Sequence, residues 1–245
     1  EQDTSAMATY FRRAYELNPK EYWYNHHVLQ LQSDNKKVQQ QAVQQLAALA
    51  KEDTANVELH EILQKAYIML QQYRQALETQ DRLDSINGYD AMSAMQRYRL
   101  NAMMRNNKQA IYEIERYLEL DPDNYQFQVF RMQLYEQTQQ PPAKMIPAYE
   151  AVLRMDSRNI VVMNNLAWNL CLIRKDLLRA EQLSRTTIMR DPTNPIYLDT
   201  YAWIMHLLGD CESALFYIKR AIEHSTEEID KEIQQHYKEI KKKCK

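Results

Sequence analysis

The feature that most constrains the fold of this chain is a repeat of 34 or 35 residues that runs through its 245 residues. A small or apolar residue opens an amphipathic segment in each repeat: Met7, Ala42, Ala76, Ala110, Met145, Ala180 and Ala214. Twelve residues after each of them a breaker or turn residue follows: Pro19, Thr54, Gly88, Pro122, Ser157, Pro192 and Thr226. A fixed period of this length is typical of solenoids in which one helical unit stacks on the next.

Composition indicates that the repeating unit is helical. Gln, Ala, Leu, Met, Glu, Lys and Arg are abundant, and all of them are good helix formers. The chain has only two glycines, Gly88 and Gly209, so it lacks the glycine clusters that phosphate-binding loops require. The sequence therefore predicts an all-α fold.

Charge and cysteine content restrict the partners and the covalent chemistry. The 31 basic and 33 acidic side chains give a net charge of −2, which favours neither nucleic acid nor an anionic membrane as partner. No stretch approaches 18 consecutive apolar residues, so no transmembrane segment is predicted. Three cysteines at unpaired spacing, Cys171, Cys211 and Cys244, predict neither a disulfide framework nor a thiolate metal site.

The most regular repeat is "NPIYLDTYAWIMHLLGDCESALFYIKRAIEHS". It places Leu198, Tyr201, Ala202 and Met205 on the inward stripe of a first helix, Gly209 at the turn, and Ala214, Ile218 and Ala221 on the inward stripe of a second helix. This pattern resembles the tetratricopeptide repeat (TPR) family, over essentially the whole chain. The resemblance implies an α-solenoid superhelix of antiparallel helix pairs. The "YLDTYAW" unit also resembles repeats of bacterial cell-envelope proteins.

The register predicts a single solenoid over residues 1–245 with fourteen helices. It divides into a half repeat, six full repeats and a C-terminal capping helix, with boundaries at 1–19, 20–54, 55–88, 89–122, 123–157, 158–192, 193–226 and 227–245. Spacings of 35 predict an extra turn residue near "IRKDLL" and near "TQQPPAKMIP", where Pro141 and Pro142 suit a helix start. The capping helix carries one apolar stripe, formed by Ile229, Ile233, Tyr237 and Ile240.

Catalytic and metal-binding patterns are not found. "LHEILQ" at residues 59–64 begins like a zinc-protease helix, but Gln64 stands where the second histidine ligand is needed. No Ser or Cys lies in a recognisable nucleophile motif, and no carboxylates form a marked pair. The sequence therefore predicts a chain that is not an enzyme and that holds no cofactor and no metal.

Two tryptophans 35 residues apart, Trp168 and Trp203, lie off the inward stripes of their helices. Each shares a second helical face with polar neighbours at i, i+4 and i+7 spacing. In TPR proteins that face of the first helix tends to line the concave groove, so the resemblance implies a partner-binding patch. The predicted partner-binding residues are Asn164, Asn165, Trp168, Asp199, Trp203 and His206.

The same residues have an alternative interpretation. Each tryptophan also suits a wedge between successive helix pairs, and the sequence does not separate this packing role from a groove role. Met92, Met95 and Met103 are expected to fill the core, with an adaptable apolar groove floor as their alternative role.

The favoured function is a non-catalytic scaffold that binds a peptide segment or a protein partner in its concave groove. One alternative is the ligand- or peptide-sensing half of a larger regulator whose output domain precedes residue 1. Another is an enzyme whose chemistry lies in a preceding part. A cell-envelope or periplasmic location is weakly favoured over the cytoplasm.

Overall fold

The computed structural model describes residues 4–226 and 230–244, which form fourteen helices, the predicted number. Turns of two to four residues join most of them, so neighbouring helices run antiparallel. The predicted all-α class is confirmed. The chain divides into two compact units, Glu1–Glu119 and Leu120–Lys245, which are described separately.

Unit 1 contains α1 to α7. Their bounds are Thr4–Leu17, Pro19–Leu31, Lys36–Glu52, Val57–Met69, Tyr73–Asn87, Ala91–Met103 and Asn107–Leu120, the last of which ends one residue past the unit. From α1 to α6 each helix packs against the next in the chain, and α2 also contacts α4. A core cluster forms between α3 and α4, where Leu46 and Leu59 are almost completely buried.

Unit 2 contains α8 to α14. Their bounds are Tyr125–Gln137, Pro142–Met155, Ile160–Leu172, Leu177–Arg190, Pro195–Leu208, Cys211–His224 and Asp230–Lys243. Each helix packs against the next, α10 contacts α12, and α14 contacts both α12 and α13. The helix start predicted at the two prolines is confirmed, since Pro141 caps α9 and Pro142 is its first residue.

The turns that lead into α4, α8, α10 and α12 share one hydrogen-bond pattern. An asparagine before each helix accepts a backbone N–H of the first helical turn. Its amide nitrogen donates to an aspartate three residues earlier, at 3.0 to 3.2 Å. The pairs are Asp53–Asn56, Asp121–Asn124, Asp156–Asn159 and Asp191–Asn194. Because these side chains satisfy helix-terminal donors, the short Asp-x-x-Asn sequence starts a helix at a fixed position.

From α4 onward, the other turns, which join the two helices within each predicted repeat, contain a residue in the left-handed backbone conformation. Positive φ values recur at 34- or 35-residue spacing: Gln71 (58°), Arg105 (56°), Gln139 (50°), Arg174 (50°) and Gly209 (86°). Only the last of these is a glycine, the residue that adopts this conformation without steric cost. The predicted extra residues are confirmed, since the turns before α9 and α11 each have four residues.

Burial confirms the register of the inward stripes. Of the seven residues that open the amphipathic segments, Met145 is 4% exposed and five are fully buried, whereas Met7 is 42% exposed. The inward stripes predicted for the last repeat are buried throughout, over both of its helices. On α14, Ile233 and Ile240 are buried, and Ile229 lies outside the described residues. The division into repeats at the stated boundaries remains a prediction.

The expected core role of the central methionines is wrong for two of the three. Met92 is 82% exposed and Met103 is 52% exposed, whereas Met95 is half-buried. Ser93 and Ala94, the residues after Met92 in the same turn of α6, are buried, so Met92 lies on the exposed face of this helix.

Candidate partner-binding face

The six predicted site residues lie on two helices of unit 2 that contact each other. Asn164, Asn165 and Trp168 belong to α10; Asp199, Trp203 and His206 belong to α12. We call these six residues the tryptophan face. The indoles of Trp168 and Trp203 are partly exposed, whereas Leu166 and Tyr201, on the inward stripes, are buried. Both tryptophans therefore lie off the inward stripes, and their partner-binding role remains a prediction.

Three of the four polar members of the tryptophan face are more buried than its tryptophans. Asn164 is 4% exposed, and Asp199 and His206 are also buried. Burial lowers the pKa of His206, and the nearby positive charge of Lys243 lowers it further. His206 therefore stays neutral at pH 7, with its ring centroid 5.3 Å from that of Trp203.

The C-terminal helix lies across the tryptophan face, an arrangement that the sequence did not predict. The ring centroid of His236, on α14, is 5.5 Å from that of Trp168 and 4.6 Å from that of Trp203. Its Nδ1 is 2.9 Å from both carboxylate oxygens of Asp199. One histidine therefore connects both tryptophans and the aspartate of the face to α14. In the sequence it lies next to the apolar stripe of this helix, one residue before Tyr237.

The pKa of His236 reflects two opposing effects. Burial alone lowers the pKa, but the hydrogen bond and negative charge of Asp199 outweigh it, and Glu232 and Glu239 add to the attraction. The net result is a pKa above the usual value for histidine. Protonation therefore strengthens the contact between α14 and α12.

A disulfide joins Cys211, the first residue of α13, to Cys244, directly after α14. The prediction that the cysteines form no disulfide framework is wrong for this pair. Their Cα atoms are 5.3 Å apart because α14 folds back along α13, so that the start of one helix meets the end of the other. The third cysteine, Cys171, is buried, and burial raises the pKa of its thiol to about 12.

A hydrogen-bond network supports the α10 side of the face. Glu136 Oε1 accepts from the Tyr149 hydroxyl at 2.9 Å and from Asn165 Nδ2 at 3.0 Å. Asn169 Nδ2 donates to the Asn165 backbone carbonyl at 2.9 Å. Burial and the adjacent Glu136 carboxylate raise the pKa of Tyr149, so its hydroxyl stays a neutral donor. This network fixes the orientation of Asn165 beside Trp168.

A cavity of about 410 Å³ opens beside Trp168. Four of the predicted residues line it, namely Asn164, Asn165, Trp168 and Asp199, whereas Trp203 and His206 do not. Residues that the sequence did not single out complete the wall: Tyr149, Asn169, Ile196, Thr200, Glu232 and Ile233. The tryptophan face thus has two parts, a cavity around Trp168 and a contact with α14 around Trp203.

A second cavity, of about 700 Å³, lies elsewhere in unit 2 and includes none of the predicted residues. Its basic lining residues are Arg131, Arg154 and Arg179. Arg179 is already paired with Glu150 at 2.6 Å, so part of this positive charge is neutralised within the protein.

The histidine of "LHEILQ" is buried and contacts the backbone of the protein. His60 is buried, with Nε2 3.3 Å from the Thr54 carbonyl, and Gln64 donates to Gln80 at 2.7 Å. Over residues 4–226 and 230–244, no group of three or more His, Cys, Asp or Glu side chains is placed to hold a metal ion. In the same ranges, no helix is both long and apolar enough to cross a bilayer.

Comparison with known proteins supports the fold. No protein-family model matches the sequence. No curated protein matches it either. Solved structures do match. YrrB, a TPR protein with an unusual peptide-binding site, superposes with a TM-score of 0.58 at 13% identity, over 79% of this chain and 97% of that one.

Two forms of MamA match as well. MamA MSR-1 C2 gives a TM-score of 0.52 at 17% identity, over 69% of this chain and 95% of that one. MamA 41-end from Desulfovibrio magneticus RS-1 gives 0.50 at 14% identity, over 69% of this chain and 94% of that one. Together with the helix pairs and the 34- to 35-residue register, these matches establish that the chain has the tetratricopeptide-repeat fold.

Proposed function

We propose that this chain is a non-catalytic protein-interaction scaffold that binds a peptide segment or a protein partner on the tryptophan face. The observation that carries the proposal is the pair of partly exposed indoles beside an open cavity that has both polar and apolar lining residues. Tryptophan combines a large rigid surface with an N–H donor, and it is enriched at the energetic centres of protein interfaces.

YrrB provides a precedent within the same fold, since it is a TPR protein with a peptide-binding site. In the present chain α14 covers part of the tryptophan face, where His236 lies over the indoles. We therefore place the partner beside α14, on the exposed edge of Trp168 and in the adjacent cavity. The partner and α14 share the face in this arrangement.

The test is a variant in which Trp168→Ala and Trp203→Ala are combined. Truncation of an interface aromatic typically costs about 2–4 kcal/mol of binding, which is roughly a 30- to 1,000-fold loss of affinity. We expect partner capture from cell extract to be lost while the thermal unfolding temperature falls only modestly. The matched control is Phe216→Ala, which truncates a 55% exposed aromatic of α13 that does not line the cavity.

Two outcomes would contradict the proposal. A folded double variant with unchanged partner affinity would place the site elsewhere. A loss of about 3–5 kcal/mol of folding stability, as for fully buried tryptophans, would show that the indoles are wedges between repeats.

A second candidate is the sensing of a small ligand within a larger regulator. The volume of the cavity favours it, since about 410 Å³ lies within the range of small-molecule sites. Saturable binding of a small molecule that persists when no protein partner is captured would support this candidate over the scaffold.

We further propose that the protein functions in an oxidising compartment, such as the cell envelope. The Cys211–Cys244 disulfide supports this location, because disulfides form and persist in oxidising environments and are rare in reducing ones. The test is to alkylate free thiols in intact cells before lysis and then to analyse the peptides by mass spectrometry. We expect the two cysteines to be recovered linked; full alkylation of both would overturn the proposal.

A further inference from the structure

The cavity beside Trp168 combines a negative potential with unused hydrogen-bond acceptors. Its described lining residues include two carboxylates, Asp199 and Glu232, and neither Lys nor Arg. A third carboxylate, Glu136, lies directly behind the wall and is bonded to Tyr149 and Asn165. His236 is the nearby group of opposite charge, and it already pairs with Asp199.

One residue of the cavity wall also carries a buried acceptor without a partner. Asn164 lines the cavity and is 4% exposed, yet among the described residues no donor reaches its Oδ1. A buried polar atom without a partner is unfavourable, and such atoms are rare in folded proteins. A donor supplied by a ligand in the cavity would satisfy this atom.

The wall also presents aromatic surface. Trp168 and Tyr149 both line the cavity, and a cation held within about 6 Å of such a ring is attracted to its face. Two donors of the wall are already used inside the protein: Tyr149 donates to Glu136, and Asn169 donates to the Asn165 carbonyl. Acceptors, negative charge and an aromatic face remain for a ligand.

Building on the proposed scaffold function, we propose that this cavity binds the cationic side chain of an arginine or lysine in the partner's segment. The guanidinium or ammonium group donates to Asn164 Oδ1, lies against the Trp168 ring and interacts with Glu232 at the rim. Trp203 and α14 form the adjacent part of the face. Affinity for a partner then depends on one basic residue.

The experiment uses capped peptides of sequence Gly-Ser-Gly-X-Gly-Ser-Gly, with X either arginine or its neutral isostere citrulline. A second pair has lysine and norleucine at X. Binding to the full chain is followed by NMR through the indole N–H of Trp168 and the side-chain amides of Asn164 and Asn165. We expect the arginine and lysine peptides to bind at least tenfold more tightly than their neutral counterparts.

Glu232→Gln removes one charge at the rim and keeps the shape of the side chain. We expect it to weaken the arginine peptide about three- to tenfold and to leave the citrulline peptide unchanged. The matched control is Glu223→Gln, an exposed position of α13 outside the cavity, which leaves both peptides unchanged. Equal affinity for arginine and citrulline, or no saturable shift of these signals by either basic peptide, would overturn the proposal.

Two further measurements separate the possible sources of the cation and the two proposals. If free argininamide binds at least tenfold more tightly than the arginine peptide, the cavity is a site for small amines and the assignment to a partner residue is wrong. In a second outcome, a captured partner loses binding when Trp168 and Trp203 are replaced but keeps it when each of its own basic residues is changed to Gln. That result would support the scaffold function and contradict the cation site.

Discussion

The two units share one helix register but differ in what holds their helices together. In unit 1 a chain of polar contacts joins α4, α5 and α6: Gln64 donates to Gln80 at 2.7 Å, Gln80 to Asp84 at 2.6 Å, and Arg97 to Asp84 at 2.7 Å. These groups are largely or partly buried, so each depends on its partner for hydrogen bonding.

In unit 2 the last helix pair, α12 and α13, packs through a mainly apolar interior. Leu198, Ala202 and Ile204 of α12 are completely buried, as are Ala214 and Ile218 of α13. The unit is closed by a helix that is held both by a disulfide and by the contact of a histidine with an aspartate. The comparison shows that the repeat determines which sequence positions are buried. It does not determine whether polar hydrogen bonds, apolar packing or a covalent bond stabilises the buried interior.

The largest expected effect in this comparison comes from the disulfide. The bond closes a loop over a sequence separation of 33, for which chain entropy gives about 3–4 kcal/mol of stabilisation. We expect Cys211→Ser combined with Cys244→Ser to lower the stability of unit 2 by up to this amount and to leave unit 1, which has no cysteine, unchanged. Urea unfolding with hydrogen exchange read separately for each unit measures it. A reductant should lower the stability of unit 2 in the native chain by the same amount, and it should not change the stability of the double variant.

The next largest effect is expected from the chain of polar contacts in unit 1. Asp84→Ala leaves Gln80, Ser93 and Arg97 without their shared acceptor, and we expect a loss of about 3 kcal/mol in unfolding free energy. Asp81→Ala is the matched control, because Asp81 also pairs with Arg97 but its side chain is 61% exposed, against 12% for Asp84. It should cost less than about 1 kcal/mol. Equal losses in the two variants would show that the network contributes no more than a surface ion pair.

The two units should also respond oppositely to pH. Burial lowers the pKa of His27, in unit 1, to about 4. The unfolded chain binds the proton at higher pH, so unit 1 loses stability as the pH falls from about 6.5 to 4, by up to about 3 kcal/mol.

His236, in unit 2, has a raised pKa, so its contact with Asp199 contributes fully below about pH 6.5 and is lost as the pH rises through the folded-state pKa. NMR titration of the individual histidines checks both directions. In Asp199→Asn the His236 pKa should fall. A His27 that titrates near the ordinary value would contradict the difference between the units.

The smallest effect concerns the turns, and both units should show it. Gln71 and Arg105 in unit 1, and Gln139 and Arg174 in unit 2, have the left-handed conformation that Gly209 has in the last turn. Glycine at any of these four positions should raise the unfolding free energy by about 0.5–1 kcal/mol. Gln72→Gly is the control, because its φ of −88° is one that any residue adopts; it should not stabilise. A destabilising Gln71→Gly would mean that the side chain contributes more than the backbone strain costs.

The sequence predicted the helices and their interior faces because both depend on short-range spacing. The period of 34 or 35 residues located the buried alanines, and the offset of Trp168 and Trp203 from the inward stripes located a second face. The contact of His236 with that face could not be predicted in this way, since it depends on how α14 packs on α12 and α13.

The disulfide did leave a signal in the sequence. Cys211 opens a helix and Cys244 follows the next one, and both helices have 14 residues. In an antiparallel pair of equal helices these two ends meet, so a separation of about one repeat was compatible with a bond. An odd cysteine count does not exclude one bond plus one buried thiol such as Cys171.

The covalent link between the start of α13 and the end of α14 determines how unit 2 carries mechanical load. Tension that reaches Cys244 from beyond it passes through the sulfur atoms to Cys211 and then into the turn before α13. The polypeptide between the two cysteines bears none of that force. Under a pull the first helix to extend from this end is therefore α12, which carries Trp203, while α13 and α14 keep their length until the disulfide is reduced.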